Sequence, residues 1–176
     1  MRWLWGMVAA VLVGCGSGEA GKEDLACTER AAAIRRSEQA LVAGGPEPDP
    51  EARQALIRDY AAFANACHSD TLTPEFLFRR ADLLRSAGKF AEAVAQLRDV
   101  HDHFPEYPHR ARCAFLVAFI NEVELMDREL AHAGYEQVLL LYPGTEEAAM
   151  AEQILSAWGL SDEELVRTFR GNGQPS

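Results

Sequence analysis

The chain has no basic run. Lys and Arg number 17 against 27 Asp and Glu, giving a net charge of −10 over 176 residues. Nucleic-acid binding draws on clustered Lys and Arg, so this balance argues against such a partner. The chain also has no apolar run of the ~20 residues that a membrane-spanning helix needs; the stretch from Trp3 to Val13 is too short. No segment alternates with period two, and β-branched residues are sparse, which argues against strands. No Cys-x-x-Cys pair occurs, so zinc-type ligand spacing is missing. Asn and Gln are few, leaving little to line a sugar or solute pocket. What remains is 48% hydrophobic and 25% charged, an ordinary globular composition long enough for one domain with its own core.

The N-terminus carries the most specific signal. Arg2 precedes the apolar run Trp3–Val13, which fits the hydrophobic region of a secretory signal. That run ends in Leu12-Val13-Gly14-Cys15, and Gly16-Ser17-Gly18-Glu19-Ala20-Gly21 follows. The four residues ending in Cys15 resemble the lipobox of bacterial lipoproteins. The resemblance implies a signal peptide over 1–14, lipidation of Cys15 and a flexible tether over 15–22. Acyl chains on Cys15 would hold the protein at a membrane. Gly16, rather than Asp, follows Cys15. By resemblance this implies the outer membrane of the cell envelope, with the chain facing the periplasm. The glycines here follow no strand and lack the Lys-Ser/Thr ending of a phosphate loop.

Proline and glycine punctuate the rest at 44–50, 74, 88, 105–108 and 143–144. Between them apolar residues recur three and four apart, in segments rich in Ala, Leu, Glu and Arg. The spacing predicts helices over 23–43, 51–67, 74–87, 90–103, 109–124, 128–142, 146–158 and 162–169, and a disordered tail over 171–176. Thr73 and Thr145 are placed to cap helices, and Ser161-Asp162-Glu163-Glu164 reads as a capping box. Cys27 lies 17 residues before Gly44, and Cys67 lies 17 residues after Pro50. In an antiparallel hairpin the two meet at one end, so a Cys27–Cys67 disulfide is expected, worth roughly 3–4 kcal/mol. An oxidising compartment would preserve it. Cys113, in Ala111-Arg112-Cys113-Ala114-Phe115, reads as a buried free thiol.

The helices repeat. Ala93 to Ala131 is 38 residues, and so is Pro105 to Pro143. Ala81, Gly88, Phe90, Ala93 and Pro105 stand where a tetratricopeptide repeat has its small, turn, aromatic, small and closing residues. The second unit departs from this pattern. Ala118 to Ala131 spans 13 residues where Ala81 to Ala93 spans 12, and Met126-Asp127-Arg128 replaces the glycine turn. A reshaped turn is expected there, and a more degenerate unit with Tyr60 and Phe63 precedes both. The chain thus resembles short bacterial lipoproteins with tetratricopeptide repeats. More loosely it is similar to the repeat lipoprotein of the outer-membrane β-barrel assembly machine and to the repeat domain of the Tol-Pal coordinator. The implied fold is an all-α solenoid of about three helical hairpins over 23–170, with a C-terminal capping helix.

Chemistry is scarce. His101-Asp102-His103 and His109 are clustered, but residues two apart on a helix point about 200° apart and do not chelate together. They read instead as an exposed helix end. Glu146-Glu147 and Glu163-Glu164 lie in first helical turns, where capping explains them. No catalytic residue, cofactor or metal is expected. In the resembled repeats the first helix of each unit lines a concave groove. Carried onto this sequence, the groove residues are Glu75, Phe78, Asp82 and Arg85, then Arg112, Phe115, Phe119 and Glu122. Mixed acids, arginines and aromatics suit an extended segment or a helix of another envelope protein; the plainer alternative is core aromatics beside solvated charge. The expected function is a non-catalytic, membrane-anchored interaction scaffold. The alternatives are a self-associating structural lipoprotein and a solute- or glycan-binding module.

Overall fold

A computed structural model of the chain describes the backbone of residues 17–45 and 49–160 and the side chains of those from 25 onward. The segment expected as a signal peptide (1–14), Cys15, the helix expected over 162–169 with its capping box, and the tail expected over 171–176 lie outside the described residues.

Within them the chain is all-helical: α1 Ser17–Ala43, α2 Pro50–Ala66, α3 Thr73–Ser86, α4 Phe90–His103, α5 Arg110–Val123, α6 Arg128–Leu141 and α7 Glu146–Ser156. Each helix packs against the next in sequence, and α5 also meets α7. Helix ends follow the expected punctuation. Asp49 caps α2 ahead of Pro50, accepting from the Glu51 amide at 3.1 Å. Thr145 caps α7 through the Ala148 amide.

Two expectations are corrected. Helix α1 begins at Ser17, inside the stretch expected as tether. Extending an existing helix adds one hydrogen bond per residue fixed, whereas starting one is costly, so α1 runs past the compositional boundary. Thr73 is not a cap. It opens α3 fully buried, and its hydroxyl donates to the Cys67 carbonyl at 2.6 Å. No side chain caps α3; Asp70 shapes the turn just ahead of it, its carboxylate accepting from the Leu72 amide at 2.8 Å.

Two of the turns between helices differ in how they reverse the chain. Between α3 and α4, Gly88 adopts φ 73°, and the Lys89 amide reaches back to the Leu84 carbonyl at 2.9 Å. Between α5 and α6, Met126 takes the left-handed position itself at φ 57°. Asp127 then caps α6 through the Leu130 amide at 3.0 Å. This is the reshaped turn that the 13-residue spacing implies.

Small residues sit where helices cross. Ala81 and Ala93 are buried between α3 and α4, and Ala118 and Ala131 between α5 and α6. The core forms three patches along the stack. Tyr60, Phe63 and Phe76 join α2 to α3; Leu84, Leu97 and Ile120 join α3, α4 and α5; Tyr135 and Val138 join α6 to α5 and α7. Trp158 closes the last patch, with Arg128 stacked over its ring at 4.7 Å. Cys27 and Cys67 are disulfide-bonded, with Cα atoms 5.9 Å apart, and Cys113 is free and buried. Both match the expectations.

Candidate functional site

The expected groove residues fall on α3 and α5, and the fold brings the two helices' side chains together. The Arg85 guanidinium lies over the Phe119 ring at 5.4 Å and donates to Glu124 at 3.1 Å. Phe115 stacks on Phe119 with centroids 6.4 Å apart, and its other side meets Tyr135. Phe78 packs against the central core patch and approaches Tyr107. All three phenylalanines are half-buried. They are part core and part surface, which periodicity alone cannot divide.

The charged members split into held and free. Glu75 accepts from Arg79 at 2.6 Å and from the Tyr107 hydroxyl at 2.8 Å. Burial pushes the Glu75 carboxyl up, but these two donors, with the charges of Arg79 and His109, outweigh it and hold the group below its ordinary value. Arg79 also reaches Glu38 of α1 at 2.9 Å. Glu122 accepts from the Tyr135 hydroxyl at 2.7 Å. Asp82 and Arg112 are exposed and make no hydrogen bond or ion pair among the described residues. They are the charges left unpaired on this face among the described residues.

Three buried tyrosines therefore anchor three carboxylates: Tyr60 to Glu38, Tyr107 to Glu75 and Tyr135 to Glu122. Burial first, and the adjacent carboxylate second, push all three hydroxyls well above the ordinary tyrosine value. No local sequence signal marks these pairings, because each joins residues that only the fold brings together.

The face is open. The space enclosed by Phe78, Asp82, Arg85, Leu116 and Ile120 is about 20 Å³, close to the volume one water needs. The face therefore offers an open surface rather than a closed pocket. A larger cleft of about 550 Å³ lies among the α2–α3 and α4–α5 loops, beside Pro74, Phe104, Pro105, Tyr107 and Pro108. It has no Asn or Gln in its lining.

The histidine cluster needs a correction. His101 is not an exposed helix end; its side chain is only 15% exposed. Its Nδ1 pairs with Asp102 at 2.6 Å, and its Nε2 pairs with the Tyr142 hydroxyl at 2.7 Å. Arg110 donates to the His101 carbonyl at 3.0 Å. The group ties the end of α4 to the end of α6 and the start of α5. Both ring nitrogens are occupied within the fold, so they are not open to a metal. Among the described residues no group of three or more His, Cys, Asp or Glu is placed to hold a metal ion, and no described helix is long and apolar enough to cross a membrane.

No family model matches the chain, and no curated protein matches it.

Proposed function

We propose that the chain is a lipid-anchored, periplasm-facing envelope protein with a tetratricopeptide-like solenoid, binding a segment of another envelope protein without catalysis. The observation that carries this reading is the α3–α5 face. There Phe78, Phe115 and Phe119 are half-exposed, Arg85 is stacked on Phe119, and Asp82 and Arg112 stand free beside them. Partly exposed aromatics with arginine and open charge are the composition of a recognition surface. The helical-hairpin order, the left-handed turn at Gly88 and the alanine crossings support the repeat reading. The lipobox resemblance at Cys15 supports the anchor, and the Cys27–Cys67 bridge suits an oxidising compartment.

The test is a crosslinking pull-down from membranes with the full-length chain as bait. Enrichment of β-barrel assembly or Tol-Pal components is expected. Arg112→Glu, at an exposed and unpaired side chain, is expected to abolish it while leaving the helical circular-dichroism signal unchanged. The double substitution Arg85→Ala with Arg112→Ala should do the same. Capture that survives both variants overturns the assignment of this face.

A further inference from the structure

Among the described residues, five have a left-handed backbone: Gly45, Gly88, Met126, Gly144 and Gly159. The first four each lie in a turn between two described helices, and the two helices so joined pack on each other. The fifth, Gly159 at φ 83°, follows the end of α7. Leu160 comes next, its amide donating to the Ala157 carbonyl at 3.2 Å. The end of α7 is therefore built like the turns that lead from one helix into the next.

Helix α7 also has the surface that a following helix needs. Ala148 and Ala151 give it its core face. Met150, Ile154 and Ala157 recur four and three residues apart, so they form a second apolar stripe along it. All three are half-buried, and Leu160, 36% exposed, continues beyond them. Glu152 and Ser156 lie exposed on the opposite flank.

We infer that residues 161–170 of the same chain cover this stripe as a helix antiparallel to α7. Leu165, Val166 and Phe169 fall on one side of such a helix, with Glu164 and Arg167 on the other. Ser161 and Glu164 stand three apart, as a capping box requires. The register follows from the turn. Ile154 is five residues before Gly159 and Leu165 six after it; Met150 is nine before and Phe169 ten after. The apolar residues of the two sides therefore come level. Ten helical residues span about 15 Å, close to the length of the 11-residue α7. The apolar area involved is small, but the segment is joined to α7 by a tight turn. It bears neither the association cost of a separate partner nor a long loop to close. The inference uses neither the anchor nor the α3–α5 face, so it stands apart from the function proposed above.

Disulfide trapping in the full-length chain tests this. Ile154→Cys with Leu165→Cys is expected to give an intramolecular disulfide under mild oxidation, located by peptide mapping. Glu152→Cys with Leu165→Cys, on the opposite flank of α7, should give none. Phe169→Asp should lower the thermal midpoint by at least ~4 °C. Arg167→Asp, on the charged side of the segment, should leave it within about 1 °C. A disulfide at 154 and 165 that fails to form, or that joins two chains instead of one, overturns the inference. So does a midpoint that Phe169→Asp leaves unchanged.

Discussion

Gly134 of α6 lies so close to Ala118 of α5 that a Cβ built at 134 would stand 2.8 Å from the Ala118 Cβ and 3.3 Å from its Cα. In an isolated helix, glycine to alanine is worth about 1 kcal/mol in favour of alanine. Here the added methyl meets an alanine and its backbone, neither of which can swing aside. Gly134→Ala is therefore expected to destabilise the chain by about 1–3 kcal/mol, read from urea denaturation at constant m-value. A stabilised variant would mean that α5 and α6 separate without cost.

Much of the helical frame is legible in the sequence because its punctuation is local. Gly44, Gly88 and Pro143 break the chain wherever the tertiary fold ends up, and the 12- and 13-residue alanine spacings report two different turns. The Cys27–Cys67 pairing is legible because it follows from equal helix lengths on either side of a turn. The close approach at Gly134 is not legible, since nothing near residue 134 in the sequence says which residue of α5 faces it. The same holds for His101. Its neighbours Asp102 and His103 suggest a frayed end, while the residue that holds it, Tyr142, is 41 positions away. Sequence reasoning names eight residues of α3 and α5 as groove-facing. It does not separate Glu75 and Glu122, held by tyrosines, from Asp82 and Arg112, which are free, because those pairings are non-local.

The disulfide closes a separation of 40 residues, for which the chain-entropy model gives about 4 kcal/mol. Helix α1 packs on α2, through Ala31 and Ile34 in the patch with Leu56 and Tyr60. Reduction, or Cys27→Ala with Cys67→Ala, is expected to lower stability and to expose α1 first. Hydrogen exchange checks this. Amides of 28–43 should lose protection while those of α4 to α6 keep theirs, and uniform loss across all helices would count against the local picture.

Met126 holds a left-handed backbone at φ 57° with its side chain 76% exposed. A non-glycine residue there carries strain of order 1 kcal/mol, and its exposed side chain recovers little by packing. Met126→Gly is expected to stabilise the chain by about 0.5–1 kcal/mol, seen as a higher thermal midpoint. Met126→Val, β-branched at the same φ, should lower it.

Cys113 is buried, and burial pushes its thiol up to about 12, against the lowering effect of the nearby Arg110 charge. Thiolate is the reactive form, so a chain with Cys15→Ala, whose Cys27 and Cys67 are bridged, should resist a thiol reagent at pH 8 while folded. Addition of denaturant should release one reactive thiol from the Cys27-, Cys67- and Cys113-containing chain without a reductant. Rapid labelling of that chain while folded would contradict this burial.

The tyrosine–carboxylate pairs make stability depend on pH at both ends. Glu75 has its folded value lowered from 4.5, so its contribution is present above that ordinary value and is lost as pH falls through the lower folded one. Glu75→Gln cannot lose that contribution on acidification. Its stability should fall less than the parent's between about pH 5 and pH 3. The tyrosines work in the opposite direction. Tyr60, Tyr107 and Tyr135 have folded values raised above 10.0, by burial and then by their carboxylate partners. Their contribution is present below 10 and is lost as pH rises beyond it, because the unfolded chain ionises first. The parent should therefore unfold progressively above about pH 10. Tyr60→Phe, with no proton to lose, should show a shallower decline there while being less stable at pH 7 by about 1 kcal/mol from the lost hydrogen bond. Urea midpoints measured from pH 3 to pH 11 for the three chains separate the acid arm from the alkaline one. An alkaline arm that Tyr60→Phe leaves unchanged would show that Tyr60 does not contribute to it.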